Sequence, residues 1–378
     1  MVRRMATYIH ELEDWPNFEW DHAGLQRSLA AVRNRQGRLT GRMEELGFKT
    51  RSEANLEALT EEVTKSSEIE GEVLNRDQVR SSIARRLGVD IGALTPADSK
   101  VEGVVEMLLD ATGNYRVPLT SDRLFGWHAA LFPTGRSGTT RITVGHWRTD
   151  ATGPMQVVSG PIGRERVHYQ APDAPALPAQ MKAFIDWFNA GPDLDPVLKA
   201  GMAHLWFVTI HPFDDGDGRI ARAIADMQLA RSEHSSQRFY SMSAQIRQDR
   251  SAYYDILEAT QKGGLDITAW LAWFLDCLDR AFDRAEAILA SVLRKARFWR
   301  QHAGAAFNER QRMMINRLFD GLEGKLTSSK WAQFAKCSQD TALRDIDGLV
   351  AEGVLTRDSP GGRSTSYSLV GQESERDR

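Results

Sequence analysis

The sequence predicts a mainly α protein. Apolar residues recur at steps of three and four through most of the chain, helix caps mark several starts, and strand-like stretches are confined to one hairpin and one C-terminal pair. With 378 residues, the chain has room for two or three domains, each with its own core.

The elements follow in order. Between Trp20 and Leu46, Leu25, Leu29, Val32, Leu39, Met43 and Leu46 alternate at steps of four and three, with Gln36 filling the gap, as on one face of a long helix. Asn75 and Gln78 have the spacing of a capping box, opening a helix with Val79, Ile83 and Leu87 on one side. MQVVSG (155–160), PIGRE (161–165) and RVHYQ (166–170) read as strand, turn and strand. Asp195-Pro196 supplies an N-cap with proline at the first helical position, and that helix runs through Ile210. The next helix carries Ile220, Ile224 and Met227 as its core stripe. ITAWLAWFLDCL (267–278) is too short to span a bilayer and reads as a buried helix, with Trp270, Trp273 and Phe274 in the core. Proline and glycine cluster at 171–178 and 359–362, and the polar tail GQESERDR (371–378) is expected to be disordered.

Composition narrows the function classes. Apolar residues make up 42% and charged residues 26%, as in an ordinary globular protein, and a net charge of -3 gives no overall footprint for nucleic acid or anionic membrane. Cys277 and Cys337 have neither metal-ligand nor redox spacing, which suits a reducing compartment. The start, MVRRMATYIHELEDW, lacks the apolar stretch of a secretory signal. A cytoplasmic protein without a membrane partner is expected.

Residues 211–222 read HPFDDGDGRIAR. One helix ends at His211, a loop with Gly216 and Gly218 follows, and another helix begins. Free backbone N–H groups at that helix start, at the positive end of its dipole, make an anion site. Arg219 and Arg222, three apart, share a face beside it, and two arginines suit a polyphosphate. Carboxylates there would repel phosphate unless a divalent cation intervenes, so Asp215 or Asp214 implies Mg²⁺. Of the two, Asp214 is expected to face solvent. His211 is placed to take a proton from a hydroxyl. Together these parts describe phosphoryl or nucleotidyl transfer. His204 is expected to be a satisfied core residue, and His128 and His168 are read with the same restraint.

The stretch resembles the Fic/Doc family signature HPFx[D/E]GNGRxxR, matching His211, Pro212, Phe213, Asp215, Gly216, Gly218, Arg219 and Arg222 and departing at Asp217, where the family has Asn. LTSDRLFGWHAALFPTG from Leu119, VGHWR at 144–148 and YSMSAQIRQDRSAYYDILEATQKGGLDITAWLAWFL extend the resemblance over about residues 40–290. It implies a Fic-type helical core with a β-hairpin flap, and transfer of AMP from ATP to a Ser, Thr or Tyr hydroxyl of a protein. His211 would be the general base and Asp215 the Mg²⁺ ligand. Gly216, Asp217, Gly218 and Arg219 would hold the α- and β-phosphates, Arg222 the γ-phosphate, with Ile220 and Ala221 in the same ATP-binding run and Tyr254 near the adenine. The 155–170 hairpin would align the target segment by strand addition. Relatives that phosphorylate instead carry Lys where this chain has Gly218. An Asn at 217 could donate to phosphate, whereas ionised Asp217 only accepts. Asp217 would either converge with Asp215 on one cation, the reading its spacing favours, or weaken nucleotide binding.

Upstream, SSEIEG (66–71) places Ser66 and Glu70 on one helical face. It resembles the family's inhibitory helix, [S/T]xxxE[G/N], with Ser66, Glu70 and Gly71 matching, in which the Glu pairs with the last Arg of the signature. LTSSKWAQFAKCS, QDTALRDIDGLVAEG and VLTRDSPGGRSTSYSL resemble a winged helix-turn-helix with Thr341 to Val350 as the recognition-type helix. Residues 307–370 carry nine Lys/Arg against eight Asp/Glu, which favours a protein partner or a homodimer over specific DNA binding, although Arg344, Arg357 and Arg363 could meet phosphates. The expected division is an N-terminal helical domain (1–100) with the inhibitory helix at about 60–72, a Fic core (101–295), a winged helix (296–370) and a tail. Two other readings stay open: a DNA-binding regulator whose Fic core senses nucleotide, and the same site run in reverse to remove AMP, with Glu70 positioning water.

Overall fold

The apolar stripe after Trp20 forms α1 (His22–Glu44), burying Leu25, Val32, Gln36, Leu39 and Met43. Gln36 fits this face because its carbonyl accepts from Arg33 and its amide donates to Glu233. The structure is a computed structural model and describes residues 7–370 apart from 93, 152, 162–163, 192–193, 323 and 359–364. Two compact units divide the chain, Met1–Ile288 and Leu289–Arg378.

In the first unit, α2 (Phe48–Ile69), α3 (Arg76–Leu87), α4 (Ser99–Gly113) and α5 (Ser121–Leu131) follow α1. Asn75 caps α3 by accepting from the Gln78 N–H, but the Gln78 side chain turns to the Asp98 N–H instead of closing the expected box. α4 and α5 approach so closely that a Cβ on Gly103 would collide with the Ala130 carbonyl. A small hairpin absent from the sequence expectation, β1 (Arg136–Ser137) with β2 (Thr140–Arg141), precedes the expected one. The latter pairs β3 (Gln156–Ser159) antiparallel with β4 (Arg166–Gln170), with a bulge at Val157/Val158.

α6 (Leu177–Asn189) leads to α7 (Pro196–Ile210), whose residues 197–210 are all buried. A helix apolar on every side must occupy the centre of a core. Asp195 caps it, accepting from the Val197 N–H at 2.8 Å. α8 (Asp217–Glu233) packs along α7, and α9 (Met242–Gln248) and α10 (Arg250–Gln261) follow. α11 (Thr268–Gln301) carries the apolar window: Trp270 and Phe274 are buried, while Trp273 is half-buried. Among the described residues no helix is long and apolar enough to cross a membrane.

The second unit holds α12 (Glu309–Phe319), α13 (Ser328–Ala335) and α14 (Gln339–Ala351), then β5 (Leu355–Arg357) paired antiparallel with β6 (Tyr367–Leu369). They enclose Met314, Trp331, Ile346 and Leu349. The proline-glycine cluster at 359–362, Arg363 and the tail 371–378 lie outside the described residues, as does part of the turn at 161–165.

Candidate functional site

The HPFDDGDGRIAR stretch joins the two most buried helices. α7 ends at His211, which adopts the left-handed conformation (φ 50°, ψ 61°) and donates its N–H to the Phe207 carbonyl. That conformation is uncommon for a side-chain-bearing residue and lifts the chain off the helix axis. The loop is pinned from outside by Arg148, the arginine of VGHWR. Its Nε donates to the His211 carbonyl at 2.8 Å and its backbone N–H to the Pro212 carbonyl at 2.9 Å. No feature of VGHWR as a sequence marks Arg148 for this role, because its partners lie more than sixty residues away. It is the residue that holds the imidazole's backbone in place.

His211 Nδ1 lies 3.3 Å from the Val208 carbonyl, an acceptor, so Nδ1 carries the proton of the neutral ring and Nε2 keeps its lone pair. Burial lowers the imidazole to about 4, leaving it neutral at pH 7 and able to accept a proton. His128, also neutral with its value lowered by burial to about 4, stacks on Phe213 at 4.2 Å. It accepts from the Gly145 N–H and donates to the Asp215 carbonyl. His204 bonds the Tyr253 hydroxyl at 2.9 Å deep in the core. Both are structural. His168, on β4, contacts Glu258 and Ser159, both at 2.5 Å.

The acidic residues separate. Asp214 is half-buried, and its carboxylate accepts from the Thr143 N–H at 2.7 Å, tying the 143–148 segment to the loop. Asp215 accepts from the Gly216 N–H and from the Ser137 hydroxyl, which β1 supplies. Asp217 turns inward. It is 1% exposed, accepts from the Phe213 N–H at 3.1 Å, and places its other oxygen 3.3 Å from His211 Nε2. Burial pushes its carboxyl well above the usual carboxylate range. The expected convergence of Asp215 and Asp217 on one cation therefore does not form, because the first residue of α8 points its side chain back into the loop.

Gly216, the N-cap of α8, has φ 89°, and a Cβ there would lie 2.9 Å from Phe132 Cε2. Glycine is required on both counts. The amides of residues 217–219 start the helix without intrahelical acceptors. Ile220 is not among these donors: its N–H bonds the Gly216 carbonyl and its side chain is fully buried, as is that of Ala221. The geometry thus takes both out of the set of ligand-facing side chains.

Arg222 is 3% exposed. Its Nη2 donates to Glu70 Oε1 at 2.8 Å and to the Ser66 carbonyl at 2.9 Å, and its Nε to the Ser66 hydroxyl at 2.9 Å. Glu70 is the C-cap of α2, and the left-handed Gly71 (φ 85°) turns the chain there. The Glu70 carboxylate overlies Gly218 so closely that a Cβ on that glycine would collide with it. Arg222 Nη1 and Arg219 Nε are buried without hydrogen-bond partners. Tyr254, on α10 and 37% exposed, donates to the Ile69 carbonyl at 3.3 Å, beside Glu70. Two residues outside the expected set also reach this helix start: Glu72, on Arg219, and Lys100, on Glu72.

Comparison with known proteins locates this site in a family. Residues 118–229 match the Fic/DOC family, and residues 8–89 match a domain of unknown function, DUF4172. Relatives described as "Protein adenylyltransferase Fic" include one from Drosophila willistoni, 27% identical over 61% of this chain and 42% of its own length. Another, from Culex quinquefasciatus, is 29% identical over the same shares. The chain thus spans less than half the length of these relatives. Among solved structures, a Fic family protein from Desulfovibrio desulfuricans aligns over 94% of this chain and 98% of its own at TM-score 0.53 and 20% identity. A Fic domain containing signaling protein from Bacteroides thetaiotaomicron aligns over 69% and 97% at TM-score 0.50 and 20% identity.

Proposed function

Because a Fic/DOC family domain surrounds this site, we propose that the protein is an adenylyltransferase, transferring AMP from ATP to a Ser, Thr or Tyr hydroxyl of a protein and restrained by Glu70. The observation that carries the reading is the pair of buried, unpartnered donors, Arg222 Nη1 and Arg219 Nε, beside the helix-start amides of residues 217–219. Donors left unsatisfied in a buried site favour an anion with several acceptor oxygens. A polyphosphate meets that need.

In this reading the substrate hydroxyl attacks the α-phosphorus. Its O–H proton passes to His211 Nε2, the new O–P bond forms, and the bond from the α-phosphorus to the bridging oxygen of the β-phosphate breaks to release pyrophosphate. Arg148 and the Val208 carbonyl keep the imidazole oriented, and the helix start and the two arginines hold the phosphates. Asp215 would supply one carboxylate for Mg²⁺. No three His, Cys, Asp or Glu side chains converge among the described residues, so the ion's other ligands would be phosphate and water. When bound, Mg²⁺ supplies charge neutralisation of the phosphates. The β3–β4 hairpin is the proposed docking edge for the target, and Tyr254 the proposed neighbour of the adenine. Glu70 opposes all this by holding Arg222 and covering Gly218, where phosphate must lie. The second unit is proposed as a winged helix that binds protein.

The test is incubation of the whole protein with Mg²⁺ and α-labelled ATP, followed by mapping of the label. Glu70→Gly is expected to incorporate more label than the parent protein. His211→Ala in that background is expected to lose about 10²–10⁴-fold in rate, the usual worth of a general base, while still binding ATP. Equal labelling with and without His211 would overturn the assignment of the base. Release of AMP from a pre-labelled protein, lost on Glu70→Gly, would favour the reverse reaction.

A further inference from the structure

Two residues beyond Glu70, the same turn delivers a second carboxylate to the signature helix. Glu72 Oε2 accepts from Arg219 Nη1 at 3.0 Å, and Glu72 Oε1 from Lys100 Nζ at 2.8 Å. The turn is rigid: the Glu72 N–H bonds the Ser67 carbonyl at 3.0 Å, and the Gly71 N–H bonds the Glu68 carbonyl. Arg219 is equally constrained, buried at its guanidinium, which lies over the Phe132 ring at 5.1 Å. Its Nε has no hydrogen-bond partner. Lys100 sits in the first turn of α4, held by the Asp98 cap, and neutralises the outer oxygen of Glu72.

We propose that Glu72 is a second gating carboxylate, which occupies Arg219 as Glu70 occupies Arg222, with Lys100 as the tether that keeps it docked. The proposal rests on the adenylyltransferase reading and adds to it a phosphate contact withheld by a different residue. The two arginines then differ in what frees them. Moving Glu70 frees Arg222 of its only carboxylate partner among the described residues and leaves its two bonds to Ser66. Arg219 needs the loss of Glu72, whose hold depends on a lysine from another helix. A nucleotide phosphate and the Glu72 carboxylate compete for one guanidinium, so the apparent affinity for ATP falls by the fraction of molecules in which Glu72 is docked.

The test is ATP binding, measured calorimetrically with Mg²⁺ on the whole protein, for the parent, Glu72→Gln, Lys100→Ala, Arg219→Ala, Glu72→Gln/Arg219→Ala, Glu70→Gly and Glu70→Gly/Glu72→Gln. Gln preserves the shape of Glu72, so loss of fold is not the expected effect. Glu72→Gln should tighten ATP binding by up to about fivefold, the range for a partly exposed charge pair, both alone and on top of Glu70→Gly. In the Arg219→Ala background Glu72→Gln should change nothing, which a merely structural role for Glu72 would not produce. Lys100→Ala should tighten binding by less, and weaker binding there would overturn the tether assignment. Tighter binding in Glu70→Gly with no effect of Glu72→Gln in either background overturns this inference alone. Failure of every protein to bind ATP overturns it together with the function it rests on.

Discussion

Asp217 is the residue at which this chain leaves the family signature, and its geometry redirects what its replacement should do. Asn is nearly isosteric: its carbonyl keeps the Phe213 N–H, and its amide can donate to the lone pair of His211 Nε2. Asp217→Asn is therefore expected to leave the Mg²⁺ dependence of ATP binding unchanged and to move stability by less than about 1 kcal/mol. A calorimetric titration of ATP at several Mg²⁺ concentrations checks this, and a shifted metal dependence would return Asp217 to the cation. Asp217→Ala, by contrast, strands a buried N–H and is expected to cost about 1–3 kcal/mol by denaturant melts. His211 gives the pH prediction. Its folded-state value is lowered by burial from 6.5 to about 4, so the neutral base persists well below pH 6.5 and is lost as pH falls through about 4. In Glu70→Gly, the acid limb of kcat/KM should lie nearer 4 than 6.5. The stability linked to keeping this ring neutral has the same sign, present above 6.5 and lost as pH falls toward 4.

At the scale of elements, the end of α2 is the device to examine. One turn fixes Ser66, Glu70 and Glu72 against α8, and Gly71 at φ 85° makes that turn possible. Gly71→Ala places a Cβ in a conformation that costs about 1–2 kcal/mol for an L-residue. It is expected to loosen both carboxylates and raise label incorporation above the parent without touching the phosphate site. Unchanged incorporation would show that the turn tolerates the strain. The hairpin has its own anchor. Glu258 on α10 accepts from Arg166 and Lys262 and contacts His168, and the Lys262 bond leads in lowering its carboxyl to about 2. A depressed carboxylate stabilises above its ordinary 4.5 and loses that contribution as pH falls through about 2. Protection factors for amide exchange in residues 166–170, corrected for the intrinsic pH dependence of exchange, should therefore be steady from pH 7 to 5 and fall only below about 4.

For the molecule as a whole, close backbone packing in the first unit sets the tolerance to change. α4 meets the end of α5 at Gly103 with backbone against backbone, which cannot give as a side chain can. Gly103→Ala is expected to destabilise by at least about 1–3 kcal/mol, the range for overpacking, and to lower the melting temperature by several degrees. In the second unit, Arg310 is paired with Asp345 and Arg357 with Asp347, so the nine basic residues of 307–370 are partly spent internally. Fluorescence anisotropy with a random duplex at physiological salt is expected to show no binding below the micromolar range, and tight binding there would restore the DNA reading.

The sequence by itself determined the helices and the site's outline. Periodicity marked α1, the Asp195-Pro196 cap marked α7, and the spacing from His211 to Arg222 marked a loop between two helices with an anion site at its turn. These are short-range facts, written within a few residues of one another. The tertiary structure decided what each charged side chain faces. Glu72 is 147 residues from Arg219, Ser66 is 156 from Arg222, and Arg148 is 63 from His211. No local pattern encodes such pairings, and only for Ser66 and Glu70 does resemblance to a family motif stand in for one. Asp217 shows the limit most plainly. Spacing alone put it beside Asp215, but a buried carboxylate goes where an N–H can satisfy it, and that donor, on Phe213, is set by the fold of the loop.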